Sequence, residues 1–169
     1  MLEHLKLMAR YNKWANDRLS AAISEIDEAA YMVPRAAFFG SIHGAANHLL
    51  LVDRLWRGRM EGKPFPAESL DQIVCADRAA FVHERAAEDD IIIAFVDGFD
   101  AARLEEEFSY STFSGVDGTD KRRIVLTHMF NHATHHRGQM HALLTQVPSD
   151  PPPLDLIYFM RARERGEVG

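Results

Sequence analysis

Between residues 120 and 146 the chain runs without a proline and places histidines at positions 128, 132 and 136. Only an α-helix brings residues four apart onto one face, with Cβ atoms roughly 5–6 Å apart. A strand would send alternate side chains to opposite faces and scatter this stripe. The segment also carries His135 and His141, and the flanking apolar residues predict that one side of the helix is buried. Polar rings on a buried helix face need partners, because an unpaired polar group in a core is costly. The fold must therefore bring other elements against this stripe.

Three more segments have helical periodicity. In residues 2–26, Leu5, Met8, Asn12, Ala15, Leu19, Ala22 and Ile26 mark one face. A loop is expected at 31–35 around Pro34. A second helix is predicted over 38–60, with Ile42, Ala45, Leu49, Val52 and Leu55 inward and Gly62, Pro64 and Pro66 ending it. A third is predicted over 69–96, with Ser69 as N-cap and Gln72 in a capping-box position. Residues 107–113 alternate polar and aromatic side chains, which predicts an extended excursion closed by a turn at 115–118. Pro151, Pro152 and Pro153 form a stiff connector to a short helix over 154–165. The expected fold is all-α: one domain over 1–169, a four-helix bundle with a short extended insertion before the last long helix.

Composition narrows the function. The net charge of -6 argues against nucleic acid, whose phosphates call for a basic footprint. One cysteine, Cys75, excludes an internal disulfide. No apolar run approaches the roughly 20 residues that span a bilayer, and no signal-peptide pattern opens the chain. A cytoplasmic protein without membrane partners is expected.

The nine histidines carry the chemistry. Two imidazoles at i and i+4 can share an ion at about 2.0–2.1 Å each. His128 and His136 are about 12 Å apart along a helix axis, so the three cannot all hold one ion. The pair is His128/His132 or His132/His136, and the third ligand comes from another helix. His4, His43, His48 and His83 are the candidates, and His48 shares the inward line of Ala45, Val52 and Leu55. If the second and fourth helices run antiparallel, His48 lies level with His136; if parallel, nearer His128 and His132. Arg137 and Gln139 are candidates for supporting the ligands. Trp14, Trp56 and Tyr11 read as packing residues.

The stretch Asn131-His132-Ala133-Thr134-His135-His136-Arg137-Gly138-Gln139 resembles the signature of the DinB-like proteins, the DinB/YfiT superfamily. Tyr11-Asn12-Lys13-Trp14-Ala15-Asn16 resembles that family's first helix, and 47–56, from Asn47 to Trp56, its second. The resemblance spans essentially the whole chain. It implies an up-down-down-up bundle, in which the second and fourth helices are antiparallel. It implies metal ligands His48, His132 and His136, with zinc or nickel as the ion, while His128 and His135 match frequent positions outside the ligand set. It also implies a homodimer, and a small-molecule substrate with a low-molecular-weight thiol as partner, since relatives include thiol-dependent S-transferases. Three neutral imidazoles leave coordination positions open, as catalytic sites do. A metal-dependent hydrolase and a non-catalytic, stress-related binding bundle are the alternatives. His128, His135 and Glu84 are the candidate general bases.

Overall fold

The computed structural model describes residues 1–113 and 115–168. Four long helices form the bundle: α1 (Leu2–Glu25), α3 (Ile42–Glu61), α4 (Arg78–Asp97) and α6 (Arg122–Leu144). The short helices α2 (Glu28–Met32), α5 (Ala101–Glu105) and α7 (Leu156–Glu164) and a hairpin of β1 (Glu107–Ser111) with β2 (Asp117–Lys121) complete it.

Side-chain pairs give the helix directions. Arg10 meets Asp97 while Arg78 reaches the carbonyl of Ile26, so α1 and α4 are antiparallel. Asp53 meets Arg85 and Arg57 meets Glu88, so α3 and α4 are parallel. Arg122 donates to the Met60 carbonyl at one end of α3, and His136 packs on His48 near the other, so α3 and α6 are antiparallel. The topology is up-down-down-up. The core forms around Leu19, Ile23, Leu49, Leu50, Met140 and Leu144 at one end, and Leu5, Ile92, Val96, Leu126 and Phe130 at the other. Each fully buried aliphatic side chain contributes about 1.5–3 kcal/mol.

The element boundaries differ from expectation in informative ways. The third long helix begins at Arg78 rather than near residue 69, because Asp77 is its cap and accepts the Ala80 N–H. Ser69 and Gln72 form no capping box: Ser69 bonds Asp71, and Gln72 accepts from the Glu68 N–H. Ile73, in the segment predicted to be helical, is exposed. Residues 62–77 instead form an irregular crossover, pinned where Asn47 Oδ1 accepts the Val74 and Cys75 N–H groups at 2.8 and 2.7 Å. Helix α3 starts at Ile42 behind the Ser41 cap and ends where Gly62 adopts a left-handed conformation. The expected loop at 31–35 overlaps the short helix α2.

The extended excursion is a full hairpin. Its second strand takes residues expected to be turn or helix start. Tyr110 pairs with Gly118, where a Cβ would lie 2.7 Å from the tyrosine ring, so a larger residue there would have to displace the ring. No described helix is long and apolar enough to cross a membrane.

Candidate metal centre

His48 leaves α3 toward α6, and His132 and His136 leave α6 toward α3. One ring nitrogen from each of the three lies within 4.8 Å of the other two. Small side-chain rotations bring such donors to the spacing of about 3–4 Å that ligands adopt around one ion. The ring centroids are 4.5 Å apart for His48 and His136, 4.1 Å for His132 and His136, and 5.3 Å for His48 and His132. His48 and His136 are 4% and 7% exposed. The helix pair left open by spacing alone is resolved by level: the antiparallel α3 brings His48 to His132 and His136. His128 stands one turn away, 5.7 Å from His132 by ring centroids.

The other histidines do not join. His4 and His83 are exposed. His43 packs edge-on to Tyr31 and contacts the Asn47 side chain. His135 accepts from Gln139 Nε2 on the outer side of α6.

Neighbouring groups fix the tautomers. His48 Nδ1 lies 2.7 Å from the Leu70 carbonyl and must donate to it, which leaves Nε2 as the unprotonated nitrogen. His136 Nδ1 donates to Gln139 Oε1 at 2.8 Å, with the same result. Such partners orient metal-ligating histidines generally. His132 Nδ1 is buried and has no hydrogen-bond partner among the described residues. Burial, reinforced by the neighbouring imidazoles, pushes His132 down to about 3 and His136 to about 4, and burial lowers His48 and His128. All four rings are neutral at pH 7, the form that ligates. An orphaned buried nitrogen beside uncharged donors fits a cation: no internal partner completes the group, and the donors lose no protons to bind one. The three histidines can hold a metal ion.

Residues that spacing did not single out shape the surroundings. Phe39 stacks on His48, rings 3.8 Å apart, and meets His136 edge-on. His48 and His132 also border a cavity of about 400 Å³. His48, His132 and His128 form one wall, and Trp56, Leu70 and Phe113 lie around it. Trp56, expected only to pack, is thus a lining residue that meets His128 edge-on. The hairpin's connecting segment supplies Thr112 and Phe113 to the lining. Of the three candidate bases, His128 lines the cavity. His135 does not, and Glu84 is engaged by Arg54.

Fold and geometry define a class: a helical bundle with a buried three-histidine group facing an open cavity. The sequence profile of the DinB family matches residues 1–167, and the chain belongs to the DinB family. No curated protein matches it in sequence. Two solved structures share the fold. One is a DinB-like protein from Bacillus cereus ATCC 10987, 17% identical, with a TM-score of 0.64 over 83% of this chain and 90% of that one. The other is a conserved protein from Enterococcus faecalis, 15% identical, with a TM-score of 0.66 over 82% and 93%.

Proposed function

We propose that His48, His132 and His136 bind one divalent transition metal, zinc or nickel, and that the protein is a metal-dependent enzyme of the thiol S-transferase type. The observation that carries this reading is the combination of three neutral imidazoles, two of them oriented by hydrogen bonds, with a cavity that His48 and His132 line. When bound, the metal supplies Lewis acidity that lowers the pKa of a thiol or water or polarises a carbonyl. The protein's own residues do the rest. Leu70 and Gln139 hold two ligands in the right tautomer. Phe39 excludes water from one side. Val52, Leu55 and Trp56 receive an apolar substrate body. His128, neutral and facing the cavity, accepts the proton that a thiol or water releases.

Hydrolysis of a small ester or amide uses the same parts with water in place of the thiol. A non-catalytic binding role is the other reading. We further propose a cytoplasmic location and a homodimer. Helix α7 already covers part of α1, where Tyr11 and Trp14 pack on Phe159, so the dimer would use another face. Sedimentation velocity tests the dimer.

Elemental analysis of untagged protein beside His48→Ala and His136→Ala tests the site. The expected result is about one zinc or nickel per chain, lost in both variants while helical content persists. Wild type that carries no such metal and takes up none when it is added overturns the reading. Turnover in a panel of electrophiles with low-molecular-weight thiols separates enzyme from binding module, and esters test the hydrolase.

A further inference from the structure

Arg59 is unlike its neighbours on α3. Arg54 pairs with Glu84 and Glu88, and Arg57 with Glu61 and Glu88. Arg59, three residues beyond Trp56, has no ion pair and no side-chain hydrogen bond among the described residues, although it is only partly exposed. Three aromatic rings surround it. The guanidinium lies 4.7 Å from the centroid of Trp56, 5.7 Å from Tyr110 and 6.0 Å from Phe113. The rings hold the cation by cation–π attraction but leave its N–H donors unused. Burial lowers its pKa without displacing it from the charged form, since guanidinium stays protonated in proteins.

Arg59 also has a distinctive place. It lines the cavity of about 400 Å³ that His48 and His132 share, and a neighbouring one of about 390 Å³ beneath the hairpin. The first cavity is otherwise walled by apolar side chains, neutral imidazoles and the uncharged Thr112. At 1.5 Å per residue, the backbones of His48 and Arg59 are about 16 Å apart along α3. One elongated molecule in this cavity would meet the imidazoles at one end and the guanidinium at the other.

We infer that Arg59 is the anion-recognising residue of this cleft, and that the cleft takes an elongated, largely apolar organic monoanion whose carboxylate docks on the Arg59 guanidinium. The planar fork of arginine matches a carboxylate with two parallel hydrogen bonds. One cation in an apolar box balances one negative charge. A phosphate dianion would bring an uncompensated charge into the same walls, which is costly. The inference builds on the cleft as the substrate site of the proposed enzyme, but it does not require the metal.

The test therefore uses metal-free protein. Backbone amide shifts are followed by NMR while 4-phenylbutyrate, its neutral amide and phenyl phosphate are titrated at constant chloride. The carboxylate is expected to shift resonances of Trp56, Arg59 and Phe113 with millimolar affinity, at least tenfold tighter than the amide. Arg59→Gln should remove that preference, and Arg59→Lys should restore part of it. Equal binding of carboxylate and amide, unchanged carboxylate binding by Arg59→Gln, tighter binding of phenyl phosphate, or no shifts at these residues each overturns it. Metal content of Arg59→Gln, measured in parallel, is expected to match wild type. Loss of anion binding with metal uptake intact would leave the metal reading standing, so the two claims fail separately.

Discussion

Two groups of buried polar side chains share this bundle, and they treat their hydrogen bonds oppositely. In the first, Arg85 donates to Asp53 at 2.8 Å and grips both oxygens of Asp89 at 2.9 and 3.0 Å. Asn12 and Asn16 donate to Asp89 and accept from Arg137, so two amides bridge a carboxylate to a second arginine. Two carboxylates face two guanidinium groups, and Arg137 Nε is the network's one buried polar atom without a hydrogen bond among the described residues. In the second group, His48, His132 and His136 bring like, uncharged rings together. The Nδ1 atoms of His48 and His136 are held by Leu70 and Gln139, and His132 Nδ1 has no partner among the described residues. The first group is closed and stabilises the fold. The second is held in position from outside and incomplete inside, as expected of a group awaiting a ligand.

The largest effect should come from breaking the closed group. Arg85 is 1% exposed, and Arg85→Met leaves Asp53 and Asp89 without their cation. Removing one partner of a buried pair costs about 3–5 kcal/mol, a large share of a typical domain's stability. Urea unfolding should show this loss, or the variant should fail to fold. Survival with less than about 1 kcal/mol lost would mean the network is not the closed structural unit described here.

His136→Ala should invert the pattern. It removes one of a set with no internal charge to balance, so metal-free protein should lose no more than about 2 kcal/mol. Metal uptake should fall from about one ion per chain to near zero. Stability loss as large as for Arg85→Met would place this histidine with the structural network instead.

This division explains how much of the molecule was legible in the sequence. The family-like stretches mix both groups: Asn12, Asn16, Asp53 and Arg137 belong to the closed network, and His48, His132 and His136 to the open one. Periodicity marked Asn12 as inward-facing, and spacing identified the histidine pairs, because both are local. The inward line of Ala45, Val52 and Leu55 singled out His48, and its level chose between the two histidine pairs only with the antiparallel arrangement that the family resemblance implied. Where partners are distant in sequence, local pattern misled. Ser69 and Gln72 look like a capping box, but the crossover's N–H groups are satisfied by Asn47, 27 residues before Val74. Arg137 and Gln139 stood level as supports until the structure separated them: Arg137 serves the closed network and Gln139 the histidines. Arg59 carried no signal, since a missing carboxylate is visible only in three dimensions.

Acid should separate the two groups next. An imidazole whose folded pKa is depressed contributes stability that is fully present above its ordinary value of 6.5. That contribution is lost as pH falls from 6.5 toward the folded values of about 3 for His132 and 4 for His136. The unfolded chain binds protons in this window that the folded chain refuses, so metal-free wild type should melt lower at pH 5 than at pH 7. His132→Ala should flatten that slope. A slope unchanged in His132→Ala would move its origin away from the histidines.

The mildest change tests the outer support of the open group. Gln139→Leu keeps a side chain of similar size but removes the oxygen that holds the His136 Nδ1 proton. His136 then has no fixed tautomer and a freer ring, and losing such a partner typically costs 10–100-fold in metal affinity. It also frees His135, whose ring nitrogen receives the Gln139 amide N–H. Because His135 lies outside the ligand set, His135→Ala should change metal affinity far less than Gln139→Leu. Competition titrations with a chelating zinc indicator would rank wild type, His135→Ala and Gln139→Leu in that order of weakening. Equal weakening by the two variants would mean that His135 positions Gln139, extending the support one residue further from the metal.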